Sequence, residues 1–269
     1  METVYLLHGL GYIDGNFLSN KLYLLKKVLL MTDELIDELD RANRGEIPSP
    51  FGKVEFTVKG SPASVQASRD SRDNYIHSIK NQFKILDYIL TGDIILNVTW
   101  LLPTKSRYET DAKADIDNCI KPIIDAFTGS EGLFIDDCQL RGLYICWSHI
   151  ESEDERVVFE FEFVASEYSS KNELAFVRLE GALCTPVNLD WSPAAKAIWA
   201  DTLKSNQPSK VVLEKLGISY PAVAGFLGSS RPFHMTRVNG FKVVSLSEFL
   251  TKNSMSEVRQ LSCTPTAKS

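Results

Sequence analysis

An α+β fold is predicted for this chain of 269 residues, and three observations predict it. Apolar residues alternate with polar ones over Lys53–Lys59 and again over Arg156–Val164, the period of half-buried strands. Between them, Tyr75, Ile76, Ile79, Phe83, Leu86 and Leu90 recur at helical spacing. A second, shorter helix is announced by Ile120, Ile123, Ile124 and Phe127. The expected architecture is a mixed sheet with helices over residues 51–165, preceded by a helical N-terminal extension (1–50) and followed by a mostly helical C-terminal region (166–269).

Each element follows from its residues. Leu18 to Ala42 is amphipathic and reads as one or two helices that pack on the core or mediate self-association. Val54, Phe56 and Val58 make the buried face of the first strand, and Arg72–Leu90 is read as one helix. Asp93–Leu101 is a strand, 103–114 a loop, and Leu140–Trp147 and Arg156–Val164 two further strands, the last with Val157, Phe159, Phe161 and Phe163 facing inward. Beyond 166, Pro193–Ser205, Ser209–Leu216 and Ser219–Leu227 read as helices, with Gly217 turning the last two at helix-turn-helix spacing. Val238-Asn239-Gly240-Phe241 reads as an Asn-Gly hairpin before a short helix at Ser247–Leu250.

The chemistry concentrates in Asp115–Gln139, DIDNCIKPIIDAFTGSEGLFIDDCQ. If the chain is extended at its start, Asp115 and Asp117 share a face and Asn118 caps the following helix, which leaves Pro122 within its first four residues. Lys121 follows one turn on, Thr128 and Gly129 close the helix, and Asp136 and Asp137 come next. A lone Asp-x-Asp-Asn is ordinarily a cap or a solvated turn, but here four acidic and basic elements coincide. Carboxylates gathered in this way repel one another and raise each other's proton affinity, which a hard divalent cation bound through oxygen relieves. Mg²⁺ suits Asp115, Asp117 and Asp137, and Lys121 would add positive charge beside a phosphodiester undergoing in-line displacement.

The order D-x-D-N, Lys, D-A-hydrophobic, D-D-x-Q resembles the RusA family of Holliday junction resolvases, and the segment Phe56–Gln66, FTVKGSPASVQ, resembles that family's opening strand and G-x-P-x-x-x-Q turn. The resemblance spans about Gly52–Ala165. It implies a RusA-like fold and a Mg²⁺-dependent endodeoxyribonuclease with Asp115, Asp117 and Asp137 as metal-holding catalytic residues and Lys121 as the essential lysine. It also implies branched DNA, a four-way junction above all, as partner. Paired nicks in opposed strands call for a two-fold homodimer. The basic cluster expected before the first aspartate is reduced to Lys105, Arg107 and Lys113, the candidate DNA contacts.

Composition limits the alternatives. Hydrophobic residues at 44% and charged residues at 24% are ordinary globular usage, and Leu22–Met31, broken by Lys26 and Lys27, is neither a secretion signal nor a membrane span. Cys119, Cys138, Cys146, Cys184 and Cys263 form no C-x-x-C pair, which points to a reducing, cytoplasmic setting. His8, His77, His149 and His234 lack ligand spacing. The glycines after Thr3–Leu7 miss the dinucleotide-binding spacing, and no G-x-S-x-G occurs to make a hydrolase of the YLLHGLG phrase. Net charge is −6, distributed as −3 over 1–50, −7 over 51–165 and +4 over 166–269, so the positive charge that DNA demands lies at the C-terminal end. Glu151, Glu153, Asp154 and Glu155 read as a solvated acidic turn. The other class of function consistent with this pattern is a DNA-binding regulator. In it, the C-terminal module, which resembles small winged-helix DNA-binding modules, would set Ser219, Tyr220 and the start of the third helix in the major groove, with Arg231, Arg237 and Lys242 on phosphate, over a non-catalytic core.

Overall fold

The computed structural model describes residues 33–110, 113–223, 226 and 231–251, and the features expected within 1–32, with Cys263, lie outside the described residues. The fold is α+β, as the sequence predicts. Its first helix is α1 (Asp33–Asn43). Then come β1 (Lys53–Lys59), α2 (Arg69–Phe83), β2 (Tyr88–Leu90), β3 (Ile94–Pro103), α3 (Thr104–Tyr108), α4 (Ile116–Phe127), a 3-10 turn at Asp137–Gln139, β4 (Leu140–Ile150) and β5 (Arg156–Phe163). One mixed sheet runs in the order β1-β5-β3-β4: β5 is antiparallel to both neighbours, and β4 lies parallel to β3 after the crossover through α4.

Val157, Phe159 and Phe161 of β5 are fully buried, as their alternation requires, and meet Leu96, Val98 and Trp100 of β3 under α2 and α4. Phe127, at the C-terminal end of α4, is the centre of this packing. Its ring lies 5.1 Å from Phe83, 4.9 Å from Phe159 and 4.8 Å from Phe161, in tilted and edge-on contacts that add to simple burial. The buried stripe of α4 is Cys119, Pro122, Ile123, Ala126 and Phe127, turned slightly from the predicted one, with Ile120 and Ile124 only partly covered.

Element boundaries in the 51–165 region differ from expectation for identifiable reasons. The helix expected to reach Leu90 ends at Phe83, where the Lys171 ammonium donates to the Phe83 carbonyl at 2.8 Å and supplies a cation at the negative helix end. The apolar run that follows fits helix or strand by periodicity alone, and it pairs as β2 with β6 (Tyr168–Ser170). The loop expected over 103–114 contains the short helix α3, which carries Lys105 and Arg107.

The C-terminal region is helical in part, as expected, and also contains a second sheet. Here β7 (Leu174–Arg178), β8 (Leu183–Asn188), β9 (Phe233–His234) and β10 (Lys242–Val244) associate in the order β10-β7-β8-β9. The two helices expected over Pro193–Leu216 are one, α5 (Pro193–Lys215). It begins at the Ser192 cap and passes through Pro208. Gly217 turns the chain with φ of +81° before α6 (Tyr220–Val223), the described part of the third predicted helix. No Asn-Gly hairpin forms. β9 and β10 flank the turn, but β9 joins β8 while β10 runs parallel to β7 at the other edge, and a 3-10 turn at Met235–Val238 lies between them.

The second sheet is covered on both faces. Ala175, Val177, Val187 and Val244 pack against Trp191, Trp199 and Phe249 from the neighbouring segment, α5 and α7 (Leu246–Thr251). Leu174, Phe176, Cys184, Phe233 and Val238 form a cluster with Ile89 and Ile135 of the 51–165 region. Replacing Phe127 by alanine should cost about 3–5 kcal/mol of unfolding free energy, read as a lower urea midpoint at unchanged slope.

Candidate active site

The acidic motif folds as an arm, a helix and a return. Helix α4 starts at Ile116, earlier than expected, so its N-cap is Asp115 rather than Asn118, and Asp117 and Asn118 lie in the first turn. Asp115 and Asp117 therefore stand at the positive end of the helix dipole instead of sharing a strand face. The early start also places Pro122 inside the helix, where it cannot donate to the Asn118 carbonyl. The Val65 amide takes that acceptor at 2.8 Å, which ties the 61–66 turn to α4.

Lys121 lies one turn beyond Asp117, and Asp125 one turn beyond Lys121, on the same helix face. After Phe127 the chain doubles back. Gly129 adopts φ of +93°, and Gly132 passes so close to Phe127 that a Cβ there would lie 2.2 Å from its carbonyl oxygen. The Phe127 carbonyl accepts from the Leu133 and Phe134 amides at 2.8 and 3.2 Å, and the return sets Asp136 and Asp137 against α4.

The return is fixed by Gln139, whose carboxamide is fully buried. Its Oε1 accepts from the Ile135 and Asp136 amides at 2.7 and 3.1 Å, and its Nε2 donates to the Leu90 and Gly92 carbonyls at 3.0 and 2.7 Å. Asp136 completes a capping box by accepting from the Cys138 amide at 3.0 Å. The neighbouring Asp137 carboxylate projects to a surface where Lys121 Nζ stands 3.4 Å from Oδ2 and Arg237 Nη1 3.0 Å from Oδ1.

Lys121 also pairs with Asp125 at 2.7 Å. The hydrogen bond to Asp125, then the charges of Asp125 and Asp137, hold its ammonium above the ordinary lysine value. Asp125 and Arg237 thus belong to this charged cluster, and the motif reading did not single them out. The i, i+4 spacing from Lys121 signals Asp125, whereas Arg237 has no local signal at all. Cys119, buried beneath the motif, has its thiol pushed up to about 11 by burial and then by Asp117 and Asp115. It is a neutral core residue.

Among the described residues, no three His, Cys, Asp or Glu side chains form a group that could hold a metal ion as they are placed. The carboxylates face different cations instead. Asp137 faces Lys121 and Arg237, while Asp115, 71% exposed, has Arg107 at 3.7 Å. Mutual repulsion disfavours their convergence, and Asp115 and Asp137 each lie beside a cation. By donor chemistry the set still suits a hard divalent cation, since Asp115, Asp117 and Asp137 offer only carboxylate oxygens on an open surface.

The three candidate DNA contacts have different environments. Lys105 is exposed on α3, and Arg107 lies with its guanidinium carbon 5.4 Å from the Trp147 ring centre, between that ring and Asp115. Lys113 is largely covered and donates to Glu155 at 2.5 Å and to Ser61 at 2.8 Å. Glu155 also accepts from Trp100 Nε1 at 2.9 Å, so it is a half-buried anchor of the arm and not part of the solvated acidic turn. Lys113 is a structural cation here, because its ammonium completes that anchor. Arg231 and Arg237, expected on phosphate in a separate module, reach carboxylates of the 51–165 region instead: Arg231 binds Asp93 and the Cys138 carbonyl.

An acidic surface flanked by cations, built on the crossover of a mixed sheet, has the charge pattern that a phosphodiester-cleaving nuclease uses. Residues 53–161 match the protein-family model described as Endodeoxyribonuclease RusA, and this segment is similar to the RusA family of Holliday junction resolvases. No curated protein matches the chain. DNA is the partner class that follows from the family, and among the described residues no helix is long and apolar enough to cross a membrane.

Two outcomes test this construction. Gln139→Leu deprives four backbone groups of their partner and should lower stability by about 4 kcal/mol or more in denaturant titration, since each buried polar group left unpaired costs about 1–3 kcal/mol. Burial alone would raise the Glu155 carboxyl, but hydrogen bonds from Lys113, Ser61 and Trp100 bring it below the ordinary value. A depressed folded-state pKa stabilises fully above the unfolded value, about 4.3, and is lost as pH falls through the folded value. The acid limb of the stability profile should therefore flatten in Glu155→Gln relative to the parent protein below about pH 4.5.

Proposed function

We propose that this protein is a Mg²⁺-dependent, structure-specific endodeoxyribonuclease that cuts branched DNA, four-way junctions above all, by hydrolysing phosphodiester bonds. The observation that carries the reading is the return of Asp137 to α4, where Lys121 stands 3.4 Å from it, sixteen residues away in the chain and one turn past Asp117. In this reading Asp115, Asp117 and Asp137 would hold the divalent cation, which would supply water activation and neutralise charge at the leaving oxygen. Lys121, kept protonated by Asp125, offsets negative charge on the phosphoryl oxygens. Arg107 and Lys105 on α3 meet flanking phosphates, and the Lys113–Glu155 anchor fixes the arm that carries Asp115.

The nuclease domain is assigned to 51–165, with 1–50 as a helical extension and 166–269 as a C-terminal region that contributes to DNA binding. Resolution of a four-way junction needs two such sites facing opposed strands, and a two-fold homodimer supplies them.

The test is cleavage of a labelled four-way junction and of matched duplex, with Mg²⁺ and with EDTA, by the parent protein and Asp117→Asn. Symmetric nicks that need Mg²⁺ are expected, reduced about 10²-fold or more in the variant while junction binding stays within about threefold. An inert parent protein on every branched substrate would remove the reading, and so would an active Asp117→Asn.

A further inference from the structure

We propose that Arg237 is a phosphate-binding residue of this active site, contributed from outside the family-matched segment by the C-terminal sheet. The inference rests on the reading of the acidic surface as a nuclease site. Arg237 Nη1 lies 3.0 Å from Asp137 Oδ1 and 3.3 Å from Asp136 Oδ1, and Lys121 takes the other Asp137 oxygen at 3.4 Å. One carboxylate thus stands between two cations.

The placement is built from the core outward. Val238, the next residue, is 1% exposed and shares a cluster with Ile135, Phe176 and Phe233, so the turn that carries Arg237 and the turn that carries Asp137 are packed on one another. The Met235 amide donates to the Ala182 carbonyl at 2.7 Å, and the Thr236 amide donates to His234 Nδ1 at 3.3 Å. Arg231 binds Asp93 and the Cys138 carbonyl, with its guanidinium 5.2 Å from the Phe233 ring centre.

A structural role alone explains little of this. The acidic turn is already closed by Asp136 on the Cys138 amide and by Gln139, and Arg237 is half exposed, where an ion pair contributes about 0–1 kcal/mol. Chemically, a guanidinium offers a planar pair of donors that matches two phosphate oxygens, and it remains charged at any working pH. Once the Asp137 oxygens are given to a hard cation, Arg237 and Lys121 present their N–H groups to the same bound phosphate from two sides. Sequence charge agrees: the region 166–269 is +4 while 51–165 is −7, and the arm before Asp115 holds few basic residues.

The experiment compares the full-length protein with Arg237→Gln and Arg237→Lys. It reads four-way-junction binding with Ca²⁺ in place of Mg²⁺ against monovalent salt concentration, junction cleavage with Mg²⁺, and the melting midpoint. For Arg237→Gln the salt slope should fall by about one per site and cleavage by about 10²-fold, with the midpoint within about 2 °C of the parent. Arg237→Lys should keep the slope and regain about tenfold of the rate. An unchanged slope in Arg237→Gln overturns the proposal, as does a lowered midpoint at unchanged slope in both variants. Should the glutamine variant fail to fold, the lysine variant decides: a rate about fivefold or more below the parent at an unchanged midpoint supports the proposal, and the parental rate overturns it. If the parent cuts no branched substrate, the nuclease reading falls, while the salt slope still decides whether Arg237 touches phosphate.

Discussion

The buried carboxamide of Gln139 is the constraint on which the rest of the site depends. It satisfies two amides of the acidic turn and two carbonyls at the end of β2, so the backbone that carries Asp136 and Asp137 is attached to the sheet region by neutral hydrogen bonds inside the core. A carboxylate that must stand beside other carboxylates needs such support, because its own electrostatics favour moving away. Glutamine is the side chain that offers an acceptor and two donors at that reach without bringing a charge. The final dipeptide step of the D-D-x-Q pattern thus has a structural cause, while the aspartates before it have a chemical one.

At the other end of the motif a proline does comparable positional work. Pro122 leaves the Asn118 carbonyl without its helical donor, and the Val65 amide occupies it. The loop before α2 and the first turn of α4 become one unit. Phe127 pins the far end of α4 to Phe83 and to β5, so the helix that presents Asp117, Lys121 and Asp125 is held at both ends. Few degrees of freedom remain for the backbone beneath the charged surface.

Much of this was legible in the sequence, for local reasons. Alternating β5 and the helical spacing of α2 report burial on one face, which periodicity detects directly. The start of α4 was misplaced because Asp115, Asn118 and an extended arm are all compatible with a cap, and only the neighbouring Val65 amide makes a proline inside the helix acceptable. The second sheet left little trace. Leu174–Arg178 is apolar on both sides because both faces are covered, and its partner β10 lies far along the chain and runs parallel. The encounter of Arg237 with Asp137 is likewise a product of tertiary packing. Its only forerunner in the sequence is the opposite net charge of the two regions.

The shared cluster of Ile89, Ile135, Phe176, Phe233 and Val238 bears on how this chain can be divided. The segment that carries the family signature ends at 161, yet its acidic turn is roofed by side chains that begin at Leu174. Excised at that boundary, the nuclease segment would present Ile89 and Ile135 to water and leave Asp137 with Lys121 as its remaining cation. The matched segment is therefore not a portable cassette: recombination, fusion or truncation at the edge of the signature would separate the acidic turn from its own roof.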